Sequence, residues 1–152
     1  MEQTCLLDLK NENLSLVVTL SDIDSEKTMK YILLLLKCVP VFEKLQLSVR
    51  IYTLQPQADM DRIAAVYQTN FLWHESKEMI EALGAYKTKV VFGKKREIVY
   101  SYLFLFHDDR LVKMEKRISK TTLFALLQMA IKIRSKEFLK KLENMFDNFE
   151  SL

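Results

Sequence analysis

The sequence predicts a single α/β domain. A central mixed sheet of about four to five strands is flanked by helices in three layers, and a long C-terminal helix closes the chain. Three observations carry this reading. Short β-rich runs alternate with longer amphipathic ones through the first two thirds of the chain, the pattern of parallel βαβ units. Near residue 107 two apolar runs meet across an acidic turn, which adds antiparallel strands to the same sheet. The 152 residues, 49% of them hydrophobic, suffice to bury one core without staples.

Taken in order, residues 14–20 (LSLVVTL) read as a buried strand stopped by Ser21-Asp22. Ser25 is placed to cap a helix through MKYILLLLKCVPVFEKL, which Pro40 should kink by removing one backbone donor. Residues 47–54 (LSVRIYTL) alternate as a strand does. Met60, Ile63, Ala64 and Tyr67 share one helix face, and Phe71-Leu72-Trp73 form a short extended piece. Ser76 caps another short helix that Gly84 closes. Residues 87–96 are basic and fit no single element. Residues 97–106 (EIVYSYLFLF) form the strongest strand, turn at His107-Asp108-Asp109-Arg110, and return over 111–118. From Thr121 the chain is helical to about Phe149, with a break expected near Ser135. The domain core is expected over about 14–134, with 135–152 as a helical extension.

A formal charge of +3 is too slight to announce nucleic-acid binding by itself. Two cysteines, Cys5 and Cys38, make no disulfide framework, and with His74 and His107 they stand at no metal-ligand spacing. No metal and no other cofactor is expected. Both glycines are isolated, so no phosphate loop is present. The longest apolar run, Ile32 to Leu36, falls far short of the ~20 residues that span a bilayer. The first residues lack the basic and apolar regions of a signal peptide. A reducing cytosol is the expected location.

The element order, with RIYTLQPQADMDRIAAVYQTNFLWHESKEMIEALGAY and YSYLFLFHDDRLVKME, resembles the thioredoxin-fold superfamily, in particular the peroxiredoxin and redoxin families, over about residues 14–118. That resemblance implies a peroxidatic cysteine in a Pro-x-x-x-Thr-x-x-Cys motif after the first strand. Here the region reads SDIDSEKTMKY, with neither Pro nor Cys. It also implies an arginine opening the hairpin strand, where Val99 or Tyr100 stands. A thioredoxin-type register through Pro40 places the two redox positions at Ile32 and Leu35. The resemblance therefore implies the fold without the redox cysteines.

Against that background each candidate residue has a defined requirement. Cys38 would need a lowered pKa and solvent access to react, and it is expected inside a buried helix. His74 with Glu75, and His107 with Asp108, are expected in loops and lack a partnered nucleophile. Lys87, Lys89, Lys94, Lys95 and Arg96, with Tyr86, Phe92 and Tyr100 nearby, form a possible anion-binding group. They would follow a nucleic-acid backbone or serve as a solvated strand edge. A second basic group is Lys132, Arg134, Lys136, Lys140 and Lys141. Phe138, Leu142, Met145, Phe146 and Phe149 supply apolar surface for a protein partner or a second copy. The expected function is a non-catalytic binding module. The alternatives are a divergent thiol oxidoreductase using Cys38 and a nucleic-acid binder using 87–96.

Overall fold

The computed structural model describes residues 13–149, so Cys5 and residues 150–152 lie outside it, as does the side chain of Phe149. Its strands are β1 (Leu14–Thr19), β2 (Leu47–Thr53), β3 (Leu72–Glu75), β4 (Tyr86–Val91), β5 (Lys94–Val99), β6 (Leu103–His107) and β7 (Arg110–Glu115). Its helices are α1 (Glu26–Lys37), α2 (Val39–Lys44), α3 (Gln57–Tyr67), α4 (Lys77–Ala82) and α5 (Lys120–Phe149). The main sheet has five strands in the order β3-β2-β1-β6-β7, while β4 and β5 form a separate ribbon. β1, β2 and β3 are parallel, and β6 runs antiparallel to β1 and β7.

Period-two alternation assigns each side of the sheet. Leu14, Leu16 and Val18 of β1, Val49 and Ile51 of β2, and Leu103 and Leu105 of β6 bury one face under Ile32 and Leu35 of α1, Phe42 of α2, Met60 of α3 and Leu123, Leu126 and Leu127 of α5. Val17, Tyr52 and Phe104 face the other side, where Ile80 of α4 and Val99 at the ribbon base cover them. The predicted three-layer α/β arrangement with a mixed sheet and a long last helix is what the chain adopts.

Three local expectations are corrected and one segment left open is resolved. The first helical stretch is two helices, not one kinked helix: Cys38 (φ −94, ψ 1) ends α1 and begins α2, with Pro40 in the first turn of α2, where its missing N–H costs nothing. The predicted strand over 97–106 is divided between β5 and β6. The 87–96 segment is most of an exposed hairpin. Helix α5 runs 30 residues without a break at Ser135. The turn at Asp108-Asp109 stands as expected, both residues taking positive φ, a conformation Asp tolerates better than most. Gly84 likewise follows α4 at φ +76.

Candidate functional site

A cleft of about 320 Å³ opens at the N-terminal end of α1, between the loop after β1 and the 99–102 segment. Local chemistry shapes it. Asp22 accepts from the backbone N–H of Asp24 (3.0 Å) and Ser25 (2.8 Å), which folds the loop back on itself. Burial works against ionising this carboxyl, but those bonds and the side-chain hydroxyls of Ser25 and Ser21 outweigh it and hold the pKa below the ordinary value. Ser25 then caps α1, accepting from Thr28 N–H at 3.2 Å and donating to Thr28 Oγ1 at 3.0 Å.

The opposite wall is latched to the sheet. Thr19, fully buried, donates from Oγ1 to the Tyr100 carbonyl (2.7 Å) and accepts from the Tyr102 N–H (3.0 Å). The rings of Tyr100 and Tyr102 stack at 5.5 Å. Lys27, Thr28, Tyr31, Lys116 and Arg117 complete the lining. The result is a cleft rich in cations and hydroxyls, with no thiol in its lining among the described residues. Sequence reasoning found Ser25 through its capping signal, but missed Thr19, Tyr31 and Arg117, which come from three separate segments.

Cys38 lies elsewhere. Seven residues of α1 at ~1.5 Å each separate it from Tyr31, the last α1 residue lining the cleft, by about 10 Å. It is half-buried against the core, and burial pushes its thiol pKa up. The expected position inside a helix is corrected to the junction between two helices, where the Cys38 carbonyl accepts from Val41 and Phe42 N–H.

The two histidines are strand residues rather than loop residues. His74 on β3 stacks on Tyr52 at 5.5 Å, and His107 ends β6. Among the described residues no three His, Cys, Asp or Glu side chains gather as a metal site. Nor does any helix among them have the length and apolarity to cross a membrane.

The two basic groups separate cleanly. Lys87, Lys89, Lys94, Lys95 and Arg96 are all exposed on the β4–β5 ribbon, with Phe92 at its tip. Arg134 of the second group is not a surface cation of that kind. It is largely buried, bonded to Glu137 at 2.7 Å and to the carbonyls of Leu45 and Gln46. Beyond it, α5 carries an apolar stripe facing solvent. Phe124, Ile131, Phe138 and Phe146 are 48–62% exposed and Leu139 56%, with Leu142 and Met145 half-buried. The residues of α5 that pack on the core end at Ile133.

No family model matches the chain, and no curated protein matches it in sequence. Solved structures do. A bacterioferritin comigratory protein of Xanthomonas campestris, studied for its alkyl peroxide reduction activity, matches with a TM-score of 0.69 and 16% identity, covering 79% of this chain and 82% of that one. Peroxidoxin BcpB from Mycobacterium tuberculosis matches at 0.65 and 14%, covering 84% and 82%. Peroxiredoxin 5 from Alvinella pompejana matches at 0.65 and 12%, covering 82% and 84%. The chain has the thioredoxin-like fold of the peroxiredoxins.

Proposed function

We propose that this chain is a non-catalytic thioredoxin-fold binding module that docks a partner on the outer face of α5. The observation that carries the reading is the solvent-facing stripe of Phe124, Ile131, Phe138 and Phe146 on a helix that runs 16 residues past its last core contact, Ile133 to Phe149. Exposed aromatic surface of this extent marks an interaction site.

A second copy of the chain is the occupant that fits. Lys132, Lys136, Glu143 and Asp147 follow one another at +4, +7 and +4, so they run along one flank of the stripe. Laid antiparallel, two such helices bring Lys132 to Asp147 and Lys136 to Glu143 about a two-fold axis near Leu139 and Lys140. The charges therefore complement a copy of themselves, as an isologous interface requires.

The non-catalytic part rests on α1. Setting Thr28 on the threonine of the peroxiredoxin motif puts Asp24 at the proline and Tyr31 at the cysteine. Tyr100 stands in the region of the arginine. Both tyrosines line the cleft where that chemistry would take place. The second reading, a thiol oxidoreductase using Cys38, draws on the fold shared with a protein of alkyl peroxide reduction activity. It requires a thiolate, which burial of Cys38 disfavours.

Cross-linking tests the docking geometry. In a Cys5→Ser, Cys38→Ser background, Leu139→Cys forms a disulfide between copies under mild oxidation and Lys132→Cys alone does not. Lys132→Cys mixed with Asp147→Cys does. No cross-link from Leu139→Cys overturns the antiparallel arrangement.

A further inference from the structure

The β4–β5 ribbon departs from ordinary surface chemistry in three ways at one place. First, between Lys87 and Arg96 the sequence holds five cations and no acid. Strand alternation puts Lys87, Lys89, Lys94 and Arg96 on the same side, and Lys89 pairs directly with Arg96 across the ribbon. Like charges directly opposite destabilise a strand pair. Among the described residues none of the four forms an ion pair, whereas Glu97, on the other side, bonds Lys77 at 3.1 Å.

Second, the tip is a two-residue turn, Phe92-Gly93, with φ of 52 and 75. Positive φ at both positions is the type I′ hairpin geometry that favours Asn-Gly. A phenylalanine in the first position is strained. Third, that ring is 99% exposed, so it gains nothing from burial.

The repulsion and the unburied aromatic ring are both relieved by one kind of ligand, a flexible polyanion that carries planar rings, and the strained turn holds that ring at the tip where such a ligand can reach it. We infer that the β4–β5 hairpin binds single-stranded nucleic acid: Lys87, Lys89, Lys94 and Arg96 follow the phosphates, and Phe92 stacks on an unpaired base. An anionic membrane shares the charge but fits less well. The cations run down one side of the ribbon rather than ringing its tip, so a tip-first insertion would leave Lys87 remote from the headgroups. The base of the ribbon is fixed for this task. Val99 is buried, Tyr100 N–H bonds the Ala85 carbonyl at 2.8 Å, and Lys77 lies over the Tyr86 ring at 5.1 Å.

The test is fluorescence anisotropy of labelled oligouridylate and oligothymidylate with the intact protein across a salt series. Four phosphate contacts give a slope of log affinity against log salt of about −3, at roughly −0.7 per contact. Two variants separate binding from folding, because each should make the ribbon more stable. Phe92→Asn relaxes the turn and weakens binding roughly five- to a hundredfold through lost stacking. Lys89→Glu converts the repulsive pair into an attractive one facing Arg96 and flattens the salt slope by about 1 to 1.5. Three results would each overturn the inference: neither oligonucleotide binds at low salt, binding is unchanged in both variants, or vesicles of anionic phospholipid bind the protein while the oligonucleotides do not.

Discussion

Arg134 on α5 donates from Nε to the carbonyl oxygen of Leu45 at 2.7 Å, and from a terminal nitrogen to that of Gln46 at 3.0 Å. One guanidinium thus satisfies two carbonyls at the end of α2 and holds the last helix against the first helical pair. Helix C-termini leave such carbonyls without intrahelical partners. The planar fork of arginine suits two acceptors at once in a way a lysine ammonium does not.

Arg134→Met should therefore destabilise the protein by about 1.5–3 kcal/mol, the range for hydrogen bonds made by a charged group. Arg134→Lys should recover less than half of that. Urea unfolding monitored through Trp73 reads both variants.

Thr19 is the second structural pivot. Thr19→Val keeps the shape and removes the hydroxyl, leaving the Tyr100 carbonyl and the Tyr102 N–H without that partner. The expected cost is about 1–3 kcal/mol, with faster amide exchange at Tyr102 than at neighbours in β6. Unchanged exchange at Tyr102 would show that the latch is not what holds the 99–102 wall.

Asp22 sets a pH dependence. Its folded-state pKa lies below the ordinary value, so the fold favours the ionised carboxylate. That contribution is complete above the unfolded-state pKa near ~3.9 and is lost as pH falls through the lower folded-state value. Asp22→Ala should be less stable than the parent at neutral pH, and the gap should narrow below about pH 4. A gap that widens in acid contradicts the assignment.

Cys38 supplies a prediction about chemistry. Because burial raises its pKa, alkylation of the native protein at this residue should be slow at neutral pH. Its rate should rise only above the ~8.5 of a free thiol. Peroxide should be consumed no faster by the parent than by Cys38→Ser. Rapid alkylation near pH 7 would move the thiol oxidoreductase reading ahead.

Much of the fold was legible because its signals are local. Ser25 and Ser76 announce their helices, the spacing from Met60 to Tyr67 gives the face of α3, and Gly84 ends α4 as a left-handed residue. What was missed depends on distant contacts. The string from Glu97 to Phe106 reads as one strand, yet Thr19, some eighty residues earlier, takes Tyr100 and Tyr102 out of it. The helix break at Cys38 falls in a run of apolar residues with no turn residue before Pro40, and a proline fits the start of a new helix as well as a kink in an old one. Ser135 is exposed on α5 and gives the helix no reason to stop.

The candidate surfaces divide in the same way. Phe138 and Phe146 of the α5 stripe and the lysines of the ribbon were visible from composition and spacing, whereas Phe124 and Leu139 were not singled out. The cleft was not, because its lining joins the loop after β1, the 99–102 segment and the residues after β7. Phe92 was visible only as a neighbour of lysines. Its importance comes from a backbone conformation that the sequence does not disclose.

Sedimentation velocity over a wide concentration range tests the central claim most directly. The mass of the intact protein should rise from that of one chain toward that of two. Phe138→Glu combined with Phe146→Glu should hold it at one chain, with the unfolding midpoint of the dilute protein unchanged. A single-chain mass for the parent at every concentration, or a dimer that survives both substitutions, would contradict docking through α5.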